Sequence, residues 1–374
     1  MTGQKKIVFL IRSLGQGGAE RQLIALACGL SERGWKVAII TFYPGSFDVV
    51  LKQKGIDAFC LDKKRRWELL RFFRKLISIV KKEKPLILHS YLTVGNVMTT
   101  IVKLFIPKLK VIWGVRASDM KLESYDWTAG FTDRLEACLA WVPTLVIANS
   151  RAGRDYLIRR GFPSAKTVVI PNGIDTAIFC PDPIARQQVR AEWNIKDNEV
   201  LVGLVARIDP MKDHHNFLKA AALVAARCSN VRFVCVGDGE KSYCDKVQAI
   251  GKCLGLDGRL IWEKGRQDVQ AVYNALDISV SSSVTEGFSN TICEAMASGV
   301  PCVATDVGDS ALILGKTGII VPPENAELLA QGIINLISGI PHNTETIRAR
   351  ITTNFGLESL ISTTEKTLKE LCLR

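Results

Sequence analysis

The sequence has few aromatic side chains and no apolar run long enough to cross a membrane. Aromatic residues make up 7% of the 374 residues. The apolar stretch 139–148 is interrupted by Pro143 and falls short of the ~18 residues that a spanning helix needs. The strand-like run 7–11 is too short for a secretory signal and has no cleavage site after it. We therefore expect a cytoplasmic protein, at most peripheral to the inner face of the membrane.

Several chemical signatures are also missing. The 11 cysteines are odd in number and include no CxxC pair, which favours buried thiols in a reducing compartment over disulfides or a zinc site. The sequence contains no HExxH, GxSxG, GxxxxGK[ST] or DxD motif. Serine hydrolase, P-loop NTPase and metal-dependent sugar transferase functions therefore have no support, and we expect neither a metal ion nor another cofactor.

Positive charge is abundant but unevenly distributed. The formal net charge is +12. Residues 1–180 contain 29 basic and 14 acidic side chains, a difference of +15, and residues 181–374 contain 20 and 23, a difference of −3. Such an excess on one half predicts a polyanionic partner, either nucleic acid or an anionic membrane.

Short β-branched runs alternate with longer amphipathic segments along the whole chain, which predicts parallel strands buried on both faces. The predicted strands are 6–11, 36–42, 58–61, 86–89, 110–115, 145–148, 167–170, 200–206, 231–236, 260–262, 278–280, 300–304 and 318–321. Two such blocks predict two doubly wound, Rossmann-like domains of the α/β class, followed by an amphipathic helix over 354–371. Ligands of such sheets bind at the carboxyl ends of the strands.

Two loops at predicted carboxyl ends carry groups suited to phosphate. Gly15-Gln16-Gly17-Gly18 follows the first strand, and its glycines let a phosphate approach the backbone, although a tight strand–helix turn explains them equally well. Arg207 and Lys212 follow the strand 200–206 and are placed to clamp a diphosphate. Either cation alone is more commonly a solvated surface charge.

The segment 286–301 is the most informative part of the sequence. It predicts a helix that stops at Gly299 and whose N-terminus suits an anionic ligand. The polar residues predicted at that N-terminus are Ser289, Asn290 and Thr291. Glu294 lies among apolar neighbours, where a carboxylate needs a partner. Together, Glu286 and Glu294 suit the vicinal hydroxyl groups of a sugar better than they suit an ordinary surface helix.

A basic run lies between residues 62 and 84, with ten basic and three acidic side chains. Apolar residues, among them Trp67 and Phe72, recur in it at helical spacing. One interpretation is a helix that faces the core and has a solvated basic face. The other is a helix that lies on an anionic membrane surface. The two interpretations are compatible.

These motifs, with 172–175 and 236–239, resemble the retaining GT-B glycosyltransferases of family 4 (group 1) over nearly the whole chain. The Glu-x7-Glu element, Glu286 and Glu294, carries the most specific part of the resemblance. It implies an acceptor-side domain at 1–175, a nucleotide-sugar-binding domain at 176–353, and a C-terminal helix at 354–374 that packs back on the first domain.

The resemblance also implies residue roles. Arg207 and Lys212 would neutralise the diphosphate of the donor, Glu286 would contact the sugar hydroxyls, and Glu294 would contact the ribose. Glu286, Arg207 and Lys212 form the predicted catalytic set. Further donor contacts are implied at Gly17, Gly18, Gly287, Phe288, Ser289, Asn290 and Thr291. No metal is implied, since fixed cations and the helix dipole carry the leaving-group charge.

Two positions depart from the pattern of many relatives. Arg116 stands where they carry a histidine, and His89-Ser90-Tyr91 stands where they carry His-x-His. His89 and Arg116 are therefore acceptor-side candidates. Arg116 either meets an acidic group of the acceptor or donor or has a structural role.

The expected function is metal-independent transfer of a hexose, with retention, from a nucleotide-diphosphate sugar. The expected acceptor is a lipid-linked or cell-envelope glycan at an anionic membrane surface, with no nucleic acid as partner. Two alternatives stay open at this point. One is a nucleotide-sugar epimerase or phosphorylase of GT-B fold, and the other is a non-catalytic protein that binds anionic lipid or nucleic acid.

Overall fold

The computed structural model describes residues 5–15, 17–45, 48–62, 69–116, 127–339 and 343–373. Gln16 of the glycine loop and residues 63–68 of the basic run, with Arg65, Arg66 and Trp67, lie outside the described residues. The chain divides into two compact units, one formed by residues 1–173 with 357–374 and the other by residues 174–356. Each unit is built on its own parallel sheet.

The first unit contains a seven-stranded parallel sheet in the order β3-β2-β1-β4-β5-β6-β7. Its strands are β1 Lys6–Ile11, β2 Lys36–Thr41, β3 Asp57–Cys60, β4 Ile87–Tyr91, β5 Lys110–Val115, β6 Leu145–Ala148 and β7 Thr167–Val169. In β1, Ile7 and Phe9 belong to one apolar core and Val8 and Leu10 to another. Both faces of the sheet are therefore covered, which is why its strands are apolar without interruption.

The described helices of this part of the chain are α1 Gly18–Glu32, α2 Asp48–Gln53, α3 Leu69–Glu83, α4 Leu92–Phe105, α5 Trp127–Cys138 and α6 Arg151–Arg159. Helix α3 contains most of the described part of the basic run. Several of its apolar residues face the core rather than a membrane. Phe72, Leu76 and Val80 are buried in the core, whereas Arg71 and Arg74 are exposed. The exposed face of α3 therefore carries these basic residues together with Leu70, which is 83% exposed.

The second unit contains a six-stranded parallel sheet in the order β10-β9-β8-β11-β12-β13. Its strands are β8 Val200–Val205, β9 Val231–Val236, β10 Leu260–Glu263, β11 Ile278–Ser281, β12 Cys302–Thr305 and β13 Ile319–Val321. Its helices are α7 Pro183–Glu192, α8 His214–Arg227, α9 Lys241–Cys253, α10 Val269–Ala275, α11 Asn290–Ala297, α12 Ser310–Leu314, α13 Ala326–Ile337 and α14 Thr344–Asn354. The predicted fold class, two Rossmann-like α/β domains, is confirmed.

The C-terminal segment differs from the single helix predicted for 354–371. Helix α14 ends at Asn354, Phe355 turns into the core of the second unit, and α15 runs over Leu357–Leu373. Helix α15 returns to the first unit, where Leu360 and Leu368 share a core with α1. No helix in the described ranges has both the length and the apolar character needed to cross a bilayer.

Candidate active site

The strand order of the second unit reverses between β8 and β11. In open parallel sheets, ligands bind at the carboxyl ends of the strands next to such a reversal. Hydrogen bonds join the loops that follow β8 and β11 at this point. The amide of Val284 donates to the carbonyl of Met211 at 2.9 Å, and the hydroxyl of Ser282 donates to the carbonyl of Lys212 at 2.8 Å. The fold thus brings the loop that carries Arg207 and Lys212 next to the loop that carries Glu286.

Lys212 and Glu286, which are 74 residues apart in sequence, form an ion pair at this reversal. The side chain of Lys212 is 20% exposed and that of Glu286 is 13% exposed. Ser283 donates a hydrogen bond to Oε1 of Glu286 at 2.8 Å, and Thr305 in turn donates to the carbonyl of Ser283 at 2.6 Å. The carboxylate is therefore held in one orientation beside a partly accessible ammonium group.

Arg207 lies on the same loop as Lys212 but does not join this ion pair. Its guanidinium lies 3.3 Å from the carboxylate of Asp209, and its side chain is 62% exposed. An exposed ion pair of this kind stabilises a protein by only about 0–1 kcal/mol. The guanidinium of Arg207 can therefore exchange Asp209 for an incoming anion at little cost.

The start of the segment 286–301 is held mainly through its backbone. The carbonyl of Gly287 accepts a hydrogen bond from the amide of Asp309 at 3.0 Å. Gly308 lies so close that a Cβ there would be 2.4 Å from the carbonyl oxygen of Glu286. The ring of Phe288 packs edge-on against Phe355 with a centroid distance of 5.5 Å. The side chain of Phe288 is thus part of the core. Only its backbone is left for the nucleotide-sugar contact that the sequence predicts.

Helix α11 begins where the sequence predicts. Ser289 is its N-cap and accepts a hydrogen bond from the amide of Ile292 at 3.5 Å. The hydroxyls of Ser289 and Thr291 lie 3.1 Å apart, and Asn290 and Thr291 are half-buried. Gly299 follows the helix with a φ of +81°, a conformation that glycine adopts without strain. The helix N-terminus therefore lies directly after the loop that carries Glu286.

Glu294 is 5% exposed and lies one turn into α11. The hydroxyl of Tyr273 on α10 donates a hydrogen bond to its Oε2 at 3.0 Å. The partner that a buried carboxylate requires is thus a phenol. Nothing in the sequence singles out Tyr273, because it occupies an ordinary apolar position of α10. Ser283 lies in the loop after β11, and Thr305 is the last residue of β12. Nothing in the sequence around either residue marks it as functional.

The glycine loop of the first unit follows β1. Helix α1 begins at Gly18, and Gly17 is its N-cap with no side-chain hydrogen bond. The space beside Gly17 is taken by the side chain of Glu20, whose Oε2 would lie 2.2 Å from a Cβ at position 17. Because the flexible Glu20 side chain can move aside, this contact does not by itself require a glycine at position 17. Contact of Gly17 and Gly18 with a donor stays a prediction.

His89 lies in the middle of β4, so the prediction that it ends a strand is wrong. It is 1% exposed, and neither imidazole nitrogen has a hydrogen-bond partner among the described residues. Burial and, secondarily, the charge of Arg116 lower the pKa of His89 to about 3. The imidazole is therefore neutral at physiological pH and has no open path to an acceptor.

Arg116 follows β5 at the same edge of the sheet. It donates hydrogen bonds to the side-chain oxygen of Asn172 and, at 2.8 Å, to the hydroxyl of Tyr91. Its guanidinium carbon also lies 4.6 Å from the centroid of the Tyr91 ring. Within the described part of the chain, no three His, Cys, Asp or Glu side chains come together as a metal site.

This architecture and these loops define the chain as an enzyme of the GT-B glycosyltransferase class. The structure of Anabaena HepE in complex with UDP-glucose matches it with a TM-score of 0.85 and 26% sequence identity, covering 98% of this chain and 99% of that one. The model of Glycosyltransferase Family 4 matches residues 16–178 and that of Glycosyl transferases group 1 matches residues 199–339. The chain belongs to the group 1 glycosyltransferases, which confirms the resemblance seen in the sequence.

Two curated glycosyltransferases are also similar to this chain over most of its length. The putative glycosyltransferase EpsF of Bacillus subtilis is 24% identical over 82% of this chain and 80% of its own length. The UDP-Gal:alpha-D-GlcNAc-diphosphoundecaprenol alpha-1,3-galactosyltransferase of Escherichia coli is 26% identical over 67% of this chain and 66% of its own length. Several other curated relatives are matched over only about half of their length.

Proposed function

We propose that this glycosyltransferase takes its sugar from a nucleotide-diphosphate donor bound at the carboxyl edge of the second unit. The observation that carries the proposal is the meeting of Lys212 and Glu286 at the reversal between β8 and β11. Cation, carboxylate and helix N-terminus then lie on neighbouring loops, and a sugar diphosphate needs all three. The UDP-glucose bound to HepE is consistent with such a donor.

In this proposal the donor diphosphate replaces Glu286 as the partner of Lys212, and exposed Arg207 turns from Asp209 to the same phosphates. Glu286, released from Lys212 but still held by Ser283, accepts hydrogen bonds from hydroxyls of the sugar. Backbone amides at the start of α11 face the phosphate or sugar oxygens. Glu294 accepts a hydrogen bond from a ribose hydroxyl beside the phenol of Tyr273. The fixed cations stabilise the leaving nucleotide, so we propose that no metal is required.

Transfer proceeds with retention at the anomeric carbon in this proposal. The acceptor hydroxyl attacks from the face that the nucleotide leaves, and the departing phosphate oxygen takes the hydroxyl proton. Glu286 is assigned to sugar binding rather than to attack on the anomeric carbon. Trapping a covalent glycosyl-enzyme on Glu286 would contradict this route.

The proposed acceptor is a lipid-linked or cell-envelope glycan precursor, and the enzyme works at an anionic membrane surface. Two observations support this. The Escherichia coli relative is named for an acceptor carried on diphosphoundecaprenol, and α3 presents its basic residues, among them Arg71 and Arg74, to solvent. We propose that the basic first unit keeps the enzyme where such acceptors are embedded.

The proposal is tested by transfer to a short-chain acceptor, N-acetylglucosamine carried on farnesyl diphosphate. Wild-type protein is incubated with UDP-, GDP- and ADP-sugars with and without EDTA, and the linkage of the product is read by NMR. We expect one nucleotide sugar to give an α-linked product in either condition. An inverted product, loss of activity with EDTA, or donor turnover that ignores the acceptor would each contradict a named part of the proposal.

A further inference from the structure

The carboxyl edge of the first unit's sheet carries an arginine without an acidic partner. Arg116 is half-buried, and among the described residues its hydrogen bonds go to Asn172 and Tyr91, both neutral. Other half-buried arginines either pair with a carboxylate, as Arg160, Arg186 and Arg266 do, or donate to backbone carbonyls, as Arg259, Arg348 and Arg350 do. A half-buried guanidinium with neutral partners keeps its full charge and its capacity for an anion.

Buried polar atoms without a hydrogen-bond partner among the described residues lie within this guanidinium and in the neighbouring His89 ring. Nε of Arg116 is buried and has no hydrogen-bond partner in the described structure, and the same holds for both nitrogens of His89. The rings of His89 and Tyr91 lie side by side, with centroids 4.9 Å apart. Leaving a buried donor unpaired costs about 1–3 kcal/mol. The unpaired Nε of Arg116 is thus a donor that a bound anion can satisfy.

The N-terminus of α4 lies at the same place, because Tyr91 is its N-cap. Among the described residues no side chain caps this helix end and its own first turn holds no acidic residue, while the buried carboxylate of Glu136 on α5 accepts hydrogen bonds from the side chains of Thr93 and Asn96. Leu92, the first helical residue, has a φ of +67°, which a branched side chain tolerates only at a cost. The backbone amides at the positive end of this helix thus have no side-chain cap among the described residues, and they directly follow Tyr91, whose ring Arg116 contacts.

We infer that Arg116 and the N-terminus of α4 form a binding site for a phosphate or diphosphate group of the acceptor. The inference rests on the proposed function for the identity of the acceptor. Tyr91 and Asn172 are positioning residues in it, since they orient the guanidinium without a charge of their own. The strand order supports the placement, because α4 follows β4 at the reversal between β1 and β4, and ligands of such sheets bind at the carboxyl ends of the strands next to a reversal.

The test measures binding of geranyl diphosphate by calorimetry, with UDP present in excess to fill the donor site. Geraniol, which has the same chain without phosphate, controls for binding through the apolar tail. The variants are Arg116→Gln, Arg116→Lys and Tyr91→Phe. Arg134→Gln, an equal charge change at an exposed position of α5, is the matched control. Thermal melting of each variant establishes that it is folded.

We expect wild type and Arg134→Gln to bind geranyl diphosphate equally and geraniol far more weakly. Arg116→Gln should lose at least about tenfold in affinity, the equivalent of one charge-assisted hydrogen bond, while Arg116→Lys and Tyr91→Phe lose less. Unchanged binding by Arg116→Gln, no binding by wild type, or displacement of the probe by UDP would overturn the inference. None of these outcomes depends on transfer activity, so failure of the proposed function is detected separately.

Discussion

At the residue scale, the proposed donor site consists of charged side chains that each have a partner within the protein. Glu294 and Tyr273 are the most deeply buried example, with the phenol donating to the carboxylate at 3.0 Å. Hydrogen bonds to a buried charged group stabilise more than neutral ones. Loss of such a bond should therefore affect both stability and the binding of a nucleotide.

Tyr273→Phe tests this bond with the smallest change available. We expect the free energy of unfolding to fall by about 1–3 kcal/mol and the affinity for the nucleotide sugar to weaken as Glu294 loses its orientation. Urea unfolding and donor titration provide the two measurements. Tyr243→Phe, a half-buried tyrosine on α9, is the control. The role of Tyr273 is refuted if the two variants behave alike.

Two buried histidines make stability depend on pH. Burial is the main cause that lowers the pKa of His89 to about 3 and that of His214 to about 4. Below the pKa of an unfolded histidine, about 6.5, the unfolded chain binds protons that the folded chain does not. Stability is therefore retained above this pH and lost as the pH falls from about 6.5 towards these values, by up to about 1.4 kcal/mol per unit for each histidine.

Urea unfolding of wild type, His89→Leu and His214→Leu at pH 7 and pH 5 measures this dependence. Each variant should lose less stability than wild type between the two pH values. His215→Leu, at the exposed neighbouring position, is the matched substitution. Equal losses in wild type and both buried-site variants would show that these histidines do not cause the acid sensitivity.

At the scale of elements, most of the fold could be predicted from the sequence. All the described strands were predicted, because strands buried on both faces leave uninterrupted apolar runs. The short helix α2 was missed, since six residues carry too little periodicity. The break between α14 and α15 was also missed. It depends on Phe355 turning into a core that only the folded chain creates.

The close packing of α1 against α15 predicts that a glycine-to-alanine change in α1 lowers the stability of the protein instead of raising it. A Cβ at Gly29 would lie 2.2 Å from Cδ1 of Ile361. Replacing a helical glycine by alanine usually stabilises by about 0.5–1 kcal/mol, but Gly29→Ala should destabilise by about 1–3 kcal/mol through overpacking. Gly130→Ala on α5 is the control, because nothing lies within 4 Å of its Cβ position.

A double-mutant cycle with Ile361→Ala shows whether the steric contact is the cause. The alanine at position 361 removes the obstructing atoms and leaves a cavity of its own. The double variant should therefore be more stable than the sum of the two single changes predicts, as measured by urea unfolding. Strict additivity would contradict the close packing of α15 on α1.

At the scale of the whole molecule, the sequence identified the motifs but not their partners. Lys212 and Glu286 are brought together by the strand order, and no local pattern records a contact over 74 residues. The same is true of Arg116 with Asn172 and Tyr91. Residue types at strand ends can be predicted from the chain, whereas their pairing depends on which strands become neighbours.

The excess of basic side chains in residues 1–180 predicts that the first unit, rather than the second, binds anionic membranes. Phe72 and Leu76 are buried in the core, so we expect the exposed basic residues of α3, rather than these two apolar ones, to attract an anionic bilayer. Reversing Arg71 and Arg74 to glutamate should weaken binding to vesicles with anionic lipid by tenfold or more, at about 1 kcal/mol for each basic residue. Sedimentation with vesicles measures this. Reversing Lys219 and Arg227, exposed on α8 of the second unit, is the control and should change little.

The central claim is that the second unit binds a nucleotide-diphosphate sugar through Lys212, and donor-induced thermal stabilisation tests it most directly. A ligand that binds only the folded state raises the melting temperature, and the rise grows with the logarithm of the ligand concentration divided by its Kd. One sugar among UDP-glucose, GDP-mannose and ADP-glucose should stabilise wild type and the exposed control Lys219→Met, but not Lys212→Met. Equal stabilisation of Lys212→Met, or none of wild type by any nucleotide sugar, would contradict the account.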